Sequence, residues 1–350
     1  MTKNRTRRSI IVLVVLILLT IAAALVACVV GQVHATPHDV TNTILMSWGV
    51  KSDGTTPRIV TSTLWEVRFP RLVIALAVGA GLGCAGALLQ GIFANPLAEP
   101  SIIGVSSGGA VFASGLLAIA SLAGVERSYG FLKWGTALAA FIGALLTTLL
   151  VYSLSRVQGK TVVVNLILVG VAINAMAGGF VTLFSFIGGT MAQSQVVFWQ
   201  LGSLAGAGWS SAVITLIITV IGIVIACLCA PKMDLLALGE NQARHLGVNV
   251  ERFRLCVIIL VAALVGVGVA FAGVIAFVGL IVPHAIRLII GPQHKWLLPT
   301  SAFGGAFVLL VADTCARTII STAELPIGML TSLIGGPIFL LLLRRYKSCL

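Results

Sequence analysis

The residues in this chain that could do chemistry are few, and their spacing does not suit catalysis. Ten acids and 22 bases are spread through 350 residues. There is no catalytic carboxylate pair and no HExxH, GxSxG or GxxxxGK[ST] motif, so no enzyme is expected. The seven cysteines, at 28, 84, 227, 229, 256, 315 and 349, are odd in number and mostly lie inside apolar runs. Cys227 and Cys229 form a C-x-C pair, which is not a zinc-knuckle spacing, and they read as packing residues. What remains is a set of polar side chains in or beside apolar runs: Gln90, Asn95, Glu99, His284 and Asp313. In a bilayer such groups are paired with polar partners or line a path.

The elements that position them must be membrane helices. Hydrophobic residues make up 59% of the chain and charged ones 9%, with a mean hydropathy of +1.11. A soluble domain carries about a quarter charged residues. So little charge cannot cover so large an apolar chain, and its surface must face lipid. Ten apolar runs stand out, roughly 9–31, 69–91, 101–123, 132–154, 162–187, 209–230, 253–272, 274–290, 297–319 and 327–344. The start, MTKNRTRRS before residues 10–30, is like a signal peptide, with Val33-His34-Ala35 resembling a cleavage site. A run of 21 residues is long enough to span, however, and reads as an uncleaved first helix.

An even number of spans puts both termini on one side. With that side cytoplasmic, 15 of the 22 bases lie inside and 7 outside, as the positive-inside rule requires. This loop bias accounts for the net charge of +12, and a nucleic-acid surface is not expected because the bases are not clustered among stacking aromatics. The external segments are 32–68, with His34, His38, Trp48 and Trp65, and the uncharged 188–208, whose apolar middle reads as a short helix. The main internal loop is 231–252. Residues 78–96 and 265–283 share six identities at a constant offset, which suggests either related halves or a common Gly/Ala packing bias.

Three segments carry the most information. In the first, Arg68-Phe-Pro-Arg71 opens a helix in which Gly79, Gly83 and Gly86 share one face and allow close packing. Asn95-Pro96 and Glu99-Pro100 break it, as a capped cytoplasmic turn or as a loop that moves. The second segment is Asp234 to Gly247, DLLALGENQARHLG. Asp234 is placed to cap a short helix, and Leu235, Leu236 and Leu238 offer an apolar patch to a partner or to the lipid surface. The third is GLIVPHAIR, with His284, followed by ADTCAR, with Asp313 and Arg317, and then ELPIG and GGP.

Together these segments resemble the FecCD-type permeases of ABC importers for iron chelates, heme and cobalamin, in the family's order from about residue 68 to the end. The resemblance implies an all-α integral membrane protein with the type II ABC permease fold, in which residues 1–350 are one transmembrane domain of ten helices. It implies a homodimer with the path at the two-fold interface, in a bacterial-type cytoplasmic membrane. Two ATPase subunits, which bind ATP and Mg, and an extracytoplasmic binding protein are the implied partners. No cofactor or metal is implied for this chain itself.

By the same resemblance, Arg68, Arg71 and Arg317 match the arginines that dock the binding protein. All three fall outside by the base count, and arginine holds carboxylates bidentately. The cytoplasmic coupling helix matches residues 234–247, with Asp234, Leu235, Leu236, Leu238, Gly239, Glu240, Arg244 and Gly247. The inner gate falls at the start of the fifth span, at Val162, Val163 and Val164, which are apolar where the family has small hydroxyl residues. Gln90, Asn95, Pro96, His284 and Asp313 are the further candidates for a path or a moving loop.

The NPLAEP and VPHAIRLIIGPQHKWLLP stretches look closest to heme permeases, with siderophores and cobalamin as alternatives. His34, His38 and Met191 are outside, where they either meet a heme iron or are simply solvated. An ion-coupled secondary transporter would need a mid-membrane carboxylate, for which Asp313 is the candidate. A membrane scaffold with no transport role is the remaining class.

Overall fold

In a computed structural model, the protein is described over residues 2–49, 55–124, 129–320 and 323–347. An apolar segment in lipid must satisfy its own backbone, which makes it a helix. The ten expected spans are all present as helices, eight of them long and apolar enough to cross a bilayer and two shorter. In chain order the helices are α1 (Thr2–Val29), α2 (Pro37–Ser47), α3 (Arg58–Ser62), α4 (Phe69–Ile92), α5 (Val105–Leu122), α6 (Tyr129–Leu154) and α7 (Val163–Ile187). They continue as α8 (Gly189–Leu201), α9 (Trp209–Ala237), α10 (Glu240–His245), α11 (Val250–Ala272), α12 (Val278–Ile290), α13 (His294–Thr318) and α14 (Ile327–Lys347). A π-helical turn, Thr63–Arg68, joins α3 to α4. The short helix expected within 188–208 is α8.

Local signals account for several boundaries. Thr36 and Asp39 form a capping box at the start of α2, with Pro37 in its first turn. Asn249 caps α11 by accepting from the Arg252 amide at 3.2 Å. The junction of the seventh and eighth spans, which carries no charge in the sequence, is an irregular stretch from Gly273 (φ +71°) to Phe277 (φ +67°).

Two features depart from expectation. Pro231 does not end α9, which continues helical to Ala237. Between α6 and α7 the chain forms a two-residue hairpin, Arg156–Val157 against Lys160–Thr161, in an otherwise helical protein. Gln158 and Gly159 both take positive φ, as a tight hairpin turn requires.

The core is built on α4, which packs against α9, α11, α12 and α13. Its glycine face is the seam. A Cβ at Gly79 would lie 2.4 Å from the Gly305 carbonyl oxygen, and one at Gly83 2.1 Å from that of Ser301. At Gly86 it would lie 1.7 Å from the Gly279 oxygen, which has no helical donor because Pro283 lacks an N–H. The match at constant offset pairs α4 with α11, but it then sets Pro96, in a turn, against Pro283, inside α12. By contrast α1, α7 and α9 bury little of their length, and α7 leaves Leu168, Val171, Met176 and Phe180 exposed.

Gly86→Ala should destabilise the protein by about 1–3 kcal/mol, the range for overpacking a tight contact. Gly178→Ala, where an added Cβ meets nothing within 4 Å, should leave the purified chain unchanged. Thermal unfolding midpoints in detergent would separate the two.

Candidate functional site

The polar groups gather at three stations along the bundle. At the end of the bundle where α1 finishes and α4 starts, Arg71 projects from the first turn of α4 onto α13. Its Nε donates to Asp313 Oδ1 at 2.9 Å, and its Nη1 donates to Glu324 Oε2 at 2.7 Å. Arg317, one turn beyond Asp313, approaches the other carboxylate oxygen at 3.2 Å. Arg68 donates to the carbonyls of Cys28 at 2.7 Å, Val29 at 3.1 Å and Val33. Arg317 donates to those of Ala27 at 3.3 Å and Val30 at 3.5 Å. Two guanidinium groups therefore cap the C-terminal carbonyls of α1, which a helix end leaves without partners. Gly31 makes room for them, since a Cβ there would lie 2.7 Å from Arg68 Nη2.

Arg68, Arg71, Arg317 and Asp313 are all buried, whereas the Glu324 side chain is 36% exposed. The three arginines, expected to face outward, are thus engaged within the chain in this structure. Glu324, which the sequence reading did not single out, is the member open to solvent. Its only signal was the ELPIG segment itself. Nearby, Thr36 holds the Asp39 carboxyl below the usual range through backbone and hydroxyl hydrogen bonds. His34 and His38 are exposed, and the side chain of Met191 lies outside the described residues.

The second station is a wall formed by α5 and α7. Ser101, Ser106, Ser107, Asn174, Thr182 and Gln200 line a cleft of about 440 Å³ that contains no charged side chain. Asn174 lies midway along α7 and donates to the Ser101 carbonyl at 3.1 Å. Hydroxyls and amides at this depth are costly against lipid, so this face turns toward water or protein. The segment before α5 enters the same depth. The Ile102 carbonyl lies 1.9 Å from where a Gly170 Cβ would sit, and Glu99 Oε1 accepts from the Phe277 amide at 3.1 Å. Only its first part is a capped turn, in which Asn95 Oδ1 accepts from the Leu97 amide at 2.9 Å.

Asn95 and Val163 meet Glu99 in a second cleft of only about 20 Å³. Pro96 follows in the turn, while Val162 and Val164 are exposed at the start of α7. Gln90 donates to the Leu280 carbonyl at 3.0 Å. Gln90, His284 and Asp313 are buried in the bundle and line none of the clefts described here. A further recess of about 560 Å³, between α5, α6, α8 and α11, is lined by Lys133, Trp199 and Phe271 among others.

At the opposite end, where α9 finishes, residues 234–247 form the last turn of α9 and then α10, not one helix. Asp234 does not cap α10, whose N-cap position is Gly239 at φ +122°. Its Oδ1 instead accepts from the amide of His294 at 2.9 Å and pairs with His294 Nδ1 at 2.7 Å, closing the start of α13. Leu236 is buried and Leu235 half-buried, which leaves Leu238 and, further on, Leu246 as the exposed apolar residues. Glu240 pairs with Arg244 at 3.7 Å and with Arg254. Gly247, at φ +86°, turns the chain into α11.

Comparison with known proteins supplies a context for these stations. The FecCD transport family matches residues 12–345. The hemin transport system permease protein HmuU of Yersinia pestis is 41% identical over 287 residues, covering 81% of this chain and 84% of its own. The cobalamin import system permease protein BtuC of Halobacterium salinarum is 40% identical over 278 residues, covering 79% and 72%. An inward-facing structure described as a metal-chelate type ABC transporter superposes with a TM-score of 0.80 at 32% identity, covering 95% of this chain and 98% of that one.

Removing Asp313 leaves two buried guanidinium groups short of charge. Asp313→Asn should therefore cost about 3–5 kcal/mol of stability, as broken buried ion pairs do. Glu324→Gln, at the exposed rim, should cost under about 1 kcal/mol. Unfolding midpoints for both variants, measured side by side, would test the assignment.

Proposed function

Because the chain belongs to the FecCD transport family, a permease of an ABC importer for metal chelates, heme or cobalamin, we propose that it carries heme or another bulky iron chelate into the cytoplasm. Members of this family are not themselves catalytic, since ATP hydrolysis belongs to a separate subunit. The observation that carries the transport reading is the cleft in the α5–α7 wall beside Asn174, midway along α7, where hydroxyls and amides sit among small apolar residues and no side chain is charged. Such a surface offers weak contacts to a large ligand and no trap for an ion. It also counts against the ion-coupled alternative, since Asp313 is already closed between two arginines.

The chain works as a homodimer with the α5–α7 faces toward the shared axis and both termini cytoplasmic. Two ATPase subunits, holding ATP and Mg, press on residues 234–247, with Leu238 and Leu246 seated in them. A binding protein docks outside at Arg68, Arg71 and Arg317; a carboxylate that displaces Glu324 reaches Arg71, and Arg68 and Arg317 must also release carbonyls of α1. Closure of the ATPases then moves α9 and α10 and shifts the chain between two gate states. The inner gate is the narrow cleft at Asn95 and Val163, flanked by Val162 and Val164. The heme preference is supported by the similarity to the hemin permease, with the cobalamin permease as the runner-up.

The test is ATP hydrolysis and import by the complex reconstituted with its cognate ATPase and binding protein. Hemin, a ferric siderophore and cobalamin are supplied in turn. Stimulation by hemin alone supports the heme reading, and stimulation by the siderophore keeps the iron-chelate reading. Stimulation by cobalamin alone transfers the chain to the cobalamin group. No assembly with an ATPase would sink the importer mechanism.

A further inference from the structure

A half-buried carboxylate, Glu251, joins the start of α7 to the coupling segment. It lies in the first turn of α11, and its Oε2 accepts from both the amide and the hydroxyl of Thr161, at 3.2 and 2.7 Å. Thr161 is buried and immediately precedes Val162. The other oxygen, Oε1, faces two arginines, Arg254 at 3.5 Å and Arg244 at 3.9 Å. Both arginines also pair with Glu240 on α10. The carbonyl of Glu251 accepts from the Tyr152 hydroxyl at 3.3 Å, which ties the last turn of α6 to the same residue.

The two sides of Glu251 differ in stiffness. Its bonds to Thr161 are short and doubled, and Thr161 is held in the hairpin by its register with Arg156. Its ion pairs to the arginines are longer than hydrogen bonds, and Arg244 and Glu240 are 39% and 46% exposed. A displacement of α10 therefore reaches the first turn of α11 through Glu240 on buried Arg254 and through Arg244 on Glu251, and Glu251 passes it to Thr161. The tight side ends on Val162 and Val164, where α7 leaves its apolar residues uncovered.

We propose that Glu251 is the positioning residue that transmits motion of α10 to the first turn of α7, so that ATPase closure moves the inner gate through the Thr161–Glu251–Arg244 contact. The inference rests on the importer reading above and adds the residue through which force passes. It requires no covalent change and no ligand.

The test uses the full complex with V164C in a chain whose native cysteines are replaced by alanine, labelled by a membrane-impermeant maleimide added to the cytoplasmic side. In the parent complex, trapping ATP should change the V164C labelling rate by roughly fivefold or more, within the range of ordinary site-to-site coupling. Glu251→Ala and Thr161→Val should assemble and hydrolyse ATP within about twofold of the parent, yet lose the ATP dependence of labelling and import roughly tenfold less. Glu251→Gln, which keeps an acceptor for Thr161, should retain part of both. The double variant should be no worse than the weaker single variant, because both break one contact. ATP-dependent labelling of parental size in Glu251→Ala would overturn the relay and leave the importer reading standing. A parent complex whose V164C never responds to ATP would overturn the gate assignment itself, and the relay with it.

Discussion

A polar group in the interior of a bilayer has no water to fall back on, and every partner must come from the chain. The architecture follows from that constraint. The carbonyls at the end of α1 are capped by Arg68 and Arg317, side chains from other helices. Arg71 and Arg317 are paired with Asp313 and Glu324, while Arg68 is met only by backbone carbonyls. The break between α11 and α12 is tolerated because Glu99 takes the Phe277 amide. Each solution brings in a residue from far along the chain, so meeting the constraint also locks helices together.

The glycine seam divides the molecule into two kinds of wall. Where α4 meets α12 and α13 the backbones touch and leave no freedom to slide without clash. Such a block is suited to stay rigid while something else moves. The α5–α7 side is the opposite, with exposed apolar residues and a cleft in which hydroxyls and amides alternate with small apolar side chains. A permease needs both, one part to hold its shape against the bilayer and another to change its contacts as cargo passes. Asp234 and Glu251 stand on either side of α10 in the chain, one bound to the start of α13 and the other to Thr161, just before α7.

The likeness to hemin and cobalamin permeases at nearly equal identity fits this division. The glycine seam and the arginine cluster contact only this chain's own helices, and neither lines a cleft open to cargo. A neutral wall has few features that select one large chelate over another. Discrimination is then left to the surfaces that meet the cargo first.

The ten spans were legible in the sequence because a run of about 20 apolar residues has one outcome in lipid. The membrane class and the family followed from apolar runs and ordered motifs, all properties of the chain read in one dimension. The face shared by Gly79, Gly83 and Gly86 was legible too, since helical periodicity fixes which residues align. The partners of polar residues were not. Arg71 finds Asp313 and Glu324 more than 240 residues away. Asp234 finds His294 and not its own neighbouring helix, and Leu236 turns inward while Leu238 does not. These outcomes depend on the depth and rotation of each helix against its neighbours. Hydropathy carries no information about either, because every face of a membrane helix can be apolar. Only the packed structure decided which hydroxyls line a cleft and which carboxylate takes the amide and hydroxyl of Thr161.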